Sequence, residues 1–218
     1  MGRGGEDMMT ASLYGMARRG FLVAMAAVVS TTLSLPVLAN PDAQGFTQRL
    51  IDQGIQILKN TSDPQRKPKF REFITQYADV RKTARFTLGN YARTAAPADV
   101  DVFVEAFKNY AVAIYETQLD KYKGESLKVV GSIENKPGDY IVKTVVQGGN
   151  AADAMRIDFR MSGGNGAYKF YDISVEGAWL GISQQEQFKS FLEQNRGSVP
   201  ALTADLNART QRILAGGK

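Results

Sequence analysis

The chain has 218 residues, 44% of them hydrophobic and 22% charged, with no Cys, no His and a formal net charge of +5. Such a composition belongs to a folded globular protein rather than a disordered one, and the length favours one domain plus a processed segment. Without Cys or His there is no disulfide, thiolate nucleophile, Ser–His or Cys–His machinery or His-bearing zinc site, so any acid–base chemistry falls to carboxylates, Lys or Tyr.

Residues 1–39 read as an export signal peptide. Arg18-Arg19 precede an apolar run from Phe21 to Leu38, which Ser30, Thr31, Thr32, Ser34 and Pro36 make too polar and too short for a membrane span. Val37-Leu38-Ala39 is an acceptable cleavage site that leaves Asn40 first. Arg18-Arg19-Gly20-Phe21-Leu22 also resembles a twin-arginine signal, with Ala17 and Val23 where Ser or Thr and Lys are commoner. Arg3, Arg18 and Arg19 against Glu6 and Asp7 give this segment a net charge of +1, leaving +4 on residues 40–218. A mildly basic exported domain suits an anionic membrane surface better than nucleic acid. The segment predicts export from the cytoplasm.

Residues 40–218 are expected to form a single domain. An amphipathic helix is predicted over 44–60, with Phe46, Leu50, Gly54, Ile55 and Leu58 on one stripe, ended by Thr61-Ser62-Asp63-Pro64. A second follows over 65–77 with Phe70, Phe73, Ile74 and Tyr77 inward; the Arg66, Lys67, Lys69 and Arg71 cluster at its start reads as a solvated face. Helix continues over 79–92. Pro97 suits a first helical position, and the helix it opens runs to Tyr122, stopped by Lys123-Gly124. Its stripe of Val100, Phe103, Phe107, Tyr110 and Ile114 is widened by Val104, Ala111, Tyr115 and Tyr122. This helix and the one before it are the expected cover for a sheet.

The sheet begins with a strand over 126–133, with Leu127, Val129 and Ile133 on one face. Asn135-Lys136-Pro137-Gly138 turns the chain into a second strand over 140–147, apolar on parts of both faces and therefore central. Gly148-Gly149-Asn150 turns it again. From Met155 the alternation is strict: Met155, Ile157, Phe159 and Met161 against Arg156, Asp158 and Arg160. Ser162-Gly163-Gly164-Asn165-Gly166 makes a turn, and Tyr171, Ile173 and Val175 form the apolar face of the returning strand. Pairing Phe159 with Tyr171 brings Asp158 opposite Asp172, with Arg156 and Arg160 beside them; these four read as a structural ion-pair network. Glu176-Gly177-Ala178-Trp179-Leu180-Gly181 is an apolar exit flanked by glycines. Ser183-Gln184-Gln185-Glu186 has capping-box spacing and predicts a helix to about Arg196, with a last helix opened by Ser198. The fold class is α+β: a four-stranded antiparallel curved sheet covered by helices, NTF2-like in appearance.

The order and residues resemble the MlaC, or toluene-tolerance, family of periplasmic phospholipid-binding proteins. The resemblance rests on Met155-Arg156-Ile157-Asp158-Phe159, Tyr171-Asp172-Ile173 and Glu176-Gly177, on Tyr122-Lys123-Gly124-Glu125-Ser126-Leu127, and on Phe86-Thr87-Leu88-Gly89-Asn90-Tyr91 before the Pro-started helix. It spans residues 44–210 in order. Ala178-Trp179 and Ser183-Gln184-Gln185 stand where many members carry an apolar residue with Ser and then Asn-Tyr-Arg.

The resemblance implies a carrier rather than an enzyme, with no cofactor and no metal. It would be a monomer in the periplasm that holds phospholipid by its acyl chains in an apolar lipid cavity between the layers. Its partners would be an inner-membrane ABC transporter with an MCE-domain ring and an outer-membrane lipoprotein–porin complex, with no nucleic acid. The implied lipid-binding residues are Phe103, Phe107, Tyr110 and Ile114 on the long helix and Val129, Val142, Ile157, Phe159, Tyr171, Ile173 and Val175 on the sheet. Ala178 and Leu180 would stand at the mouth. The alternative is an NTF2-like small-molecule enzyme using Asp158 and Asp172 as a carboxylate pair. A lipoprotein chaperone would need a similar cavity.

Overall fold

The computed structural model describes residues 40–119, 122–148 and 155–216; the expected export segment 1–39 and most of the turn expected at 148–150 lie outside them. The described chain runs α1 (Pro41–Lys59), α2 (Arg66–Tyr77), α3 (Val80–Leu88), α4 (Tyr91–Thr94), α5 (Pro97–Gln118), β1 (Ser126–Lys136), β2 (Asp139–Gln147), β3 (Arg156–Gly164), β4 (Ala167–Val175), β5 (Ala178–Trp179), α6 (Leu180–Gln194) and α7 (Val199–Leu214). No described helix is long and apolar enough to cross a membrane.

The architecture is α+β, and in outline it resembles NTF2-like folds: an antiparallel meander with helices packed against it. The described sheet has five strands in sequence order rather than the expected four. The extra strand is the short stretch expected to be an apolar exit. Glu176 and Gly177, both at positive φ, reverse the chain, so that Ala178 and Trp179 pair back onto Val175 and Ser174.

Two bulges decide which side chains share a face. In β1 the ladder skips a residue between Val129 and Gly131. Leu127 and Val129 therefore lie on the face of Val146 and Thr144, whereas Ile133 pairs with Ile141 on the opposite face, against the expectation that all three share one side. In the β3–β4 hairpin Ile157 pairs with Val175 and Phe159 with Ile173, a two-residue slip from the expected register. A slip of two preserves the faces. The second bulge does not: between Arg160 and Met161 the partners jump from Asp172 to Phe170. Tyr171 is thereby turned to the polar face, where its hydroxyl donates to Asp139 Oδ1 at 2.6 Å.

The apolar face is covered by α1 and α2, not by the long helix. Val142, Phe159, Met161, Tyr140 and Tyr168 form a core with Ala43, Leu50 and Ile51 of α1, and Phe46, Phe73 and Tyr77 pack around it. Gly54 lets α2 approach α1, since a Cβ there would stand 3.3 Å from the Phe73 ring. Asn40 caps α1 by accepting from the Ala43 N–H at 2.9 Å. Asp42 ties the same end to the hairpin, accepting from the Gly166 N–H at 3.0 Å and the Tyr168 hydroxyl at 2.9 Å.

The long helix builds a second core. Phe103, Phe107 and Tyr110 pack with Leu88 of α3, Phe188 and Leu192 of α6, and Leu202 and Leu206 of α7. The Phe188 ring stands edge-on to Phe103 and Phe107, with centroids 5.8 and 6.3 Å away. Helical neighbours thus take up the stripe that was expected to face the sheet. The expected continuous helix over 79–92 is split at Gly89, which adopts φ 57. The basic cluster of α2 is not merely solvated: Arg66 is buried and donates to the Leu119 carbonyl, and Arg71 pairs with the buried Glu116 at 3.0 Å.

Candidate functional site

The residues expected to line one apolar cavity fall into separate places. Phe103, Phe107 and Tyr110 are buried in the helical core, with Ile114 half-buried against it. Val142 and Phe159 are buried in the sheet core, with Val129, Ile157 and Ile173 half-buried beside them. Val175 is buried, Ala178 and Leu180 are half-buried, and Tyr171 is on the other face of the sheet. These side chains lie against one another in two cores, and the expected cavity does not stand open between them. A groove of about 370 Å³ lies elsewhere, between α1 and α2, lined by Gln53, Asn60, Asp63, Lys69 and Gln76 together with Ile57 and Phe73.

The polar face of the sheet carries the unusual chemistry. The helical layer is fastened to it along β4. The Asp79 N–H donates to the Phe170 carbonyl at 2.7 Å and the Thr83 hydroxyl to the Tyr171 carbonyl at 2.6 Å. The Gly181 N–H, in the first turn of α6, donates to Asp172 Oδ1 at 2.9 Å. A Cβ on Gly181 would stand 2.9 Å from Asp172 Oδ2, so a larger residue there would have to push the carboxylate aside. Asp172 therefore receives the free end of α6, and the expected capping box at Ser183 does not form because the helix has already started at Leu180. Further across this face Ile133, Ile141 and Val145 are only half-buried.

On one rung of the ladder Asp158 lies opposite Ser174, which lies opposite Trp179; on the next rung of that face, two residues along, Arg160 lies opposite Asp172. The guanidinium of Arg160 stacks over Trp179 at 4.9 Å and approaches Tyr171 at 6.0 Å, while Lys82 Nζ sits 3.4 Å over the Tyr171 ring. The expected ion-pair network is absent: among the described residues neither Asp158 nor Asp172 closes to ion-pair distance of Arg156 or Arg160. Instead Asp158 Oδ1, Arg160 Nε, Ser174 Oγ and Gln184 Nε2 are buried without a hydrogen-bond partner. Each such group costs about 1–3 kcal/mol, and four of them on adjoining elements is a concentration that a packed core avoids.

Burial raises the carboxyl of Asp158 above its ordinary range, against the pull of Arg156 and Lys143. Burial likewise raises Asp172, although the backbone N–H groups of Gly181 and Ile173 oppose it. Burial also pushes Tyr115 up to about 12, with the charge of Asp172 adding to it. The two aspartates sit on successive rungs and share no proton; Asp172 Oδ1 is already committed to two backbone N–H groups. That arrangement anchors a helix and leaves no carboxylate dyad for acid–base work.

Sequence reasoning passed over Arg160, Ser174 and Gln184 as site residues. Gln184 carried a usable signal, because it shares the inward stripe of α6 with Gly181, Phe188 and Leu192, all of them buried. A lone polar residue on such a stripe calls for a partner.

Fold and site together define a small α+β binding domain, with apolar layers on both sides of a sheet and one concentrated polar patch. Residues 48–208 match the MlaC protein family, and the chain belongs to that family. Among solved structures it is similar to a phospholipid-binding protein from Ralstonia solanacearum, solved in complex with a phospholipid. The two are 22% identical with a TM-score of 0.67, over 79% of this chain and 99% of that one, and they share a fold.

Proposed function

We propose that this protein is a periplasmic lipid carrier that binds phospholipid by its acyl chains and passes it between membrane complexes. The observation that carries this reading is membership of the MlaC family across residues 48–208. The phospholipid held by the similar Ralstonia protein supports it. Two acyl chains of about sixteen carbons gain roughly 25 kcal/mol against water, at ~0.8 kcal/mol per CH₂. Release into water is negligible on that scale, so transfer takes place in contact with a membrane or a receptor, where both environments are apolar. The receptors by family analogy are an inner-membrane ABC transporter with an MCE-domain ring and an outer-membrane lipoprotein–porin complex.

The acyl chains take the seam between the helical layer and the sheet face that bears Ile133, Ile141 and Val145. Ile114, Ala178 and Leu180 border it, with Phe103, Phe107 and Tyr110 behind. The half-burial of these border residues supports the seam. The other sheet residues, Val129, Val142, Ile157, Phe159, Ile173 and Val175, reach ligand only if α1 lifts. Native mass spectrometry of the protein from the periplasm, with analysis of the released lipid, tests the carrier reading. A stoichiometric phospholipid adduct is expected, and a bare mass that persists after incubation with phospholipid vesicles overturns it. Ile114→Glu and Ile157→Glu locate the chains. Loss of the adduct in the first alone supports the seam, and loss in the second alone moves the chains under α1.

A further inference from the structure

Of the exposed large hydrophobics among the described residues, two meet on adjoining elements. Phe86, near the end of α3, is 39% exposed and Ile182, in the first turn of α6, is 41% exposed. Gln185, one turn on from Ile182, donates to the Phe86 carbonyl at 2.6 Å, which holds the two helices side by side at this point. Apolar residues exposed singly need no explanation, whereas an adjacent pair with a charged rim marks a contact surface. The rim here is basic. Residues 80–98 hold Arg81, Lys82, Arg85 and Arg93 and no acidic residue, and these four cations equal the net charge of +4 on residues 40–218, so the rest of the domain balances to zero. Arg81 pairs with Asp101 at 2.8 Å, and Lys82 lies over the Tyr171 ring. Arg85 and Arg93 are exposed. The first donates to the Ala92 carbonyl at 3.3 Å and the second to Asn90 Oδ1 at 2.7 Å, contacts that gather both guanidinium groups at the turn after Phe86 and leave their charges unneutralised. On α6 Lys189 and Glu193 pair with each other at 3.8 Å, and the exposed Glu186, one turn on from Ile182, offsets part of the basic charge.

We propose that this surface seats the protein on an anionic phospholipid bilayer, with Phe86 and Ile182 entering the head-group region and Arg85 and Arg93 on lipid phosphates; this rests on the carrier reading above. The forked donors of a guanidinium match phosphate oxygens, and the bond is charge-assisted. An aromatic and an aliphatic side chain supply a small apolar area and the arginines supply attraction, a combination that gives reversible adsorption rather than insertion. The surface is specific in this respect. Val102 is more exposed, at 59%, but its neighbours on α5 are Asp101 and Glu105 rather than a basic rim. Ile182 also stands two residues past Leu180, at the border of the proposed acyl seam, so a bilayer seated here meets the place where the chains would enter.

The test is vesicle flotation of the purified protein. Vesicles of equimolar phosphatidylglycerol and phosphatidylcholine are compared with vesicles of phosphatidylcholine alone. Binding to the anionic vesicles is expected to be about tenfold tighter, because each arginine near such a surface is worth about fivefold and Glu186 offsets part of the gain. Raising the salt from about 0.05 M to about 0.5 M should remove the preference. Arg85→Gln combined with Arg93→Gln should bring the two vesicles to within about twofold, and Phe86→Ser combined with Ile182→Ser should weaken binding to both by about fivefold. Val102→Ser should leave binding unchanged. Glu186→Gln should tighten binding to the anionic vesicles by about threefold, a gain that a misfolded variant does not mimic. Equal binding to both vesicles, binding to neither, or a preference that survives loss of both arginines overturns the inference. Native mass spectrometry of the same samples reads phospholipid loading separately. Wild type that loads but shows no vesicle preference loses this inference and keeps the carrier reading; wild type that never loads overturns the carrier reading and this inference with it.

Discussion

Asp158 is a residue whose charge works against the stability of the fold. Its carboxylate is partly buried, lacks an ion-pair partner and has one oxygen without a hydrogen bond, and burial raises its pKa in the folded chain. A carboxyl raised in this way contributes stability that is full below its ordinary value and is lost as pH rises through the folded one. At neutral pH the charged form is therefore a net cost. Asp158→Asn is expected to raise the melting temperature near pH 7 by an amount equivalent to under about 1 kcal/mol, since a half-exposed charge is screened. The gain should shrink as the pH falls through the carboxylate range and the wild-type group takes up its proton. Paired thermal melts at about pH 7 and pH 4 check this; an unchanged or lower melting temperature at the higher pH would mean that the carboxylate is favourably paired. Alternation in the sequence identifies Asp158 as pointing away from the apolar face. The absence of an arginine contact depends on the register, which alternation alone leaves free by two residues.

At the scale of elements, most of the helices and strands were legible in the chain and their mutual arrangement was not. Strict alternation placed β3, the turn residues placed the hairpins, and the Ser198 cap was legible from its sequence alone, accepting from the Ala201 N–H at 3.2 Å. The bulges at Val130 and Tyr171 were not legible, because an extra residue in a strand is decided by what each face packs against and not by local propensity. Each moved a side chain across the sheet: Ile133 left the apolar face and so did Tyr171, a residue counted among the lipid contacts. Which helix covers which face was equally hidden, since α1 and α5 carry similar apolar stripes. What distinguishes them is a polar tether, the pair of bonds from Asp42 to Gly166 and Tyr168 that fixes α1 on the sheet. Burial and this bond push the Tyr168 hydroxyl up to about 12, so the tether holds across the physiological range. Asp42→Ala is expected to cost about 1 kcal/mol of stability. It should also speed amide exchange in the first turns of α1 while leaving α5 unchanged; uniform exchange across both helices would mean that α1 is not held separately.

The two cores of the molecule are interleaved along the chain. The segments α1 and α2 cover the sheet, α3 and α5 enter the helical core, the strands follow, and α6 and α7 return to the helical core. Neither core is a continuous stretch of sequence, so neither can form before the chain has closed a long loop around the other. The layers are also stitched at several points: Asp172 with Gly181, Thr83 with Tyr171, and Arg71 with Glu116. A molecule wired in this way should unfold as one unit. Phe188, 1% exposed, anchors the helical core, and Met161, with no exposed surface, anchors the sheet core. Phe188→Ala is expected to cost about 3–5 kcal/mol and Met161→Ala about 2–5 kcal/mol. At about 2–4 °C per kcal/mol for a domain of this size, each should lower one shared melting transition by roughly 5–20 °C. Differential scanning calorimetry with far-ultraviolet circular dichroism separates the possibilities. If Phe188→Ala instead splits off an early helical transition and leaves the sheet transition in place, the cores are independent. The helical layer would then be free to loosen on its own, with the sheet left intact.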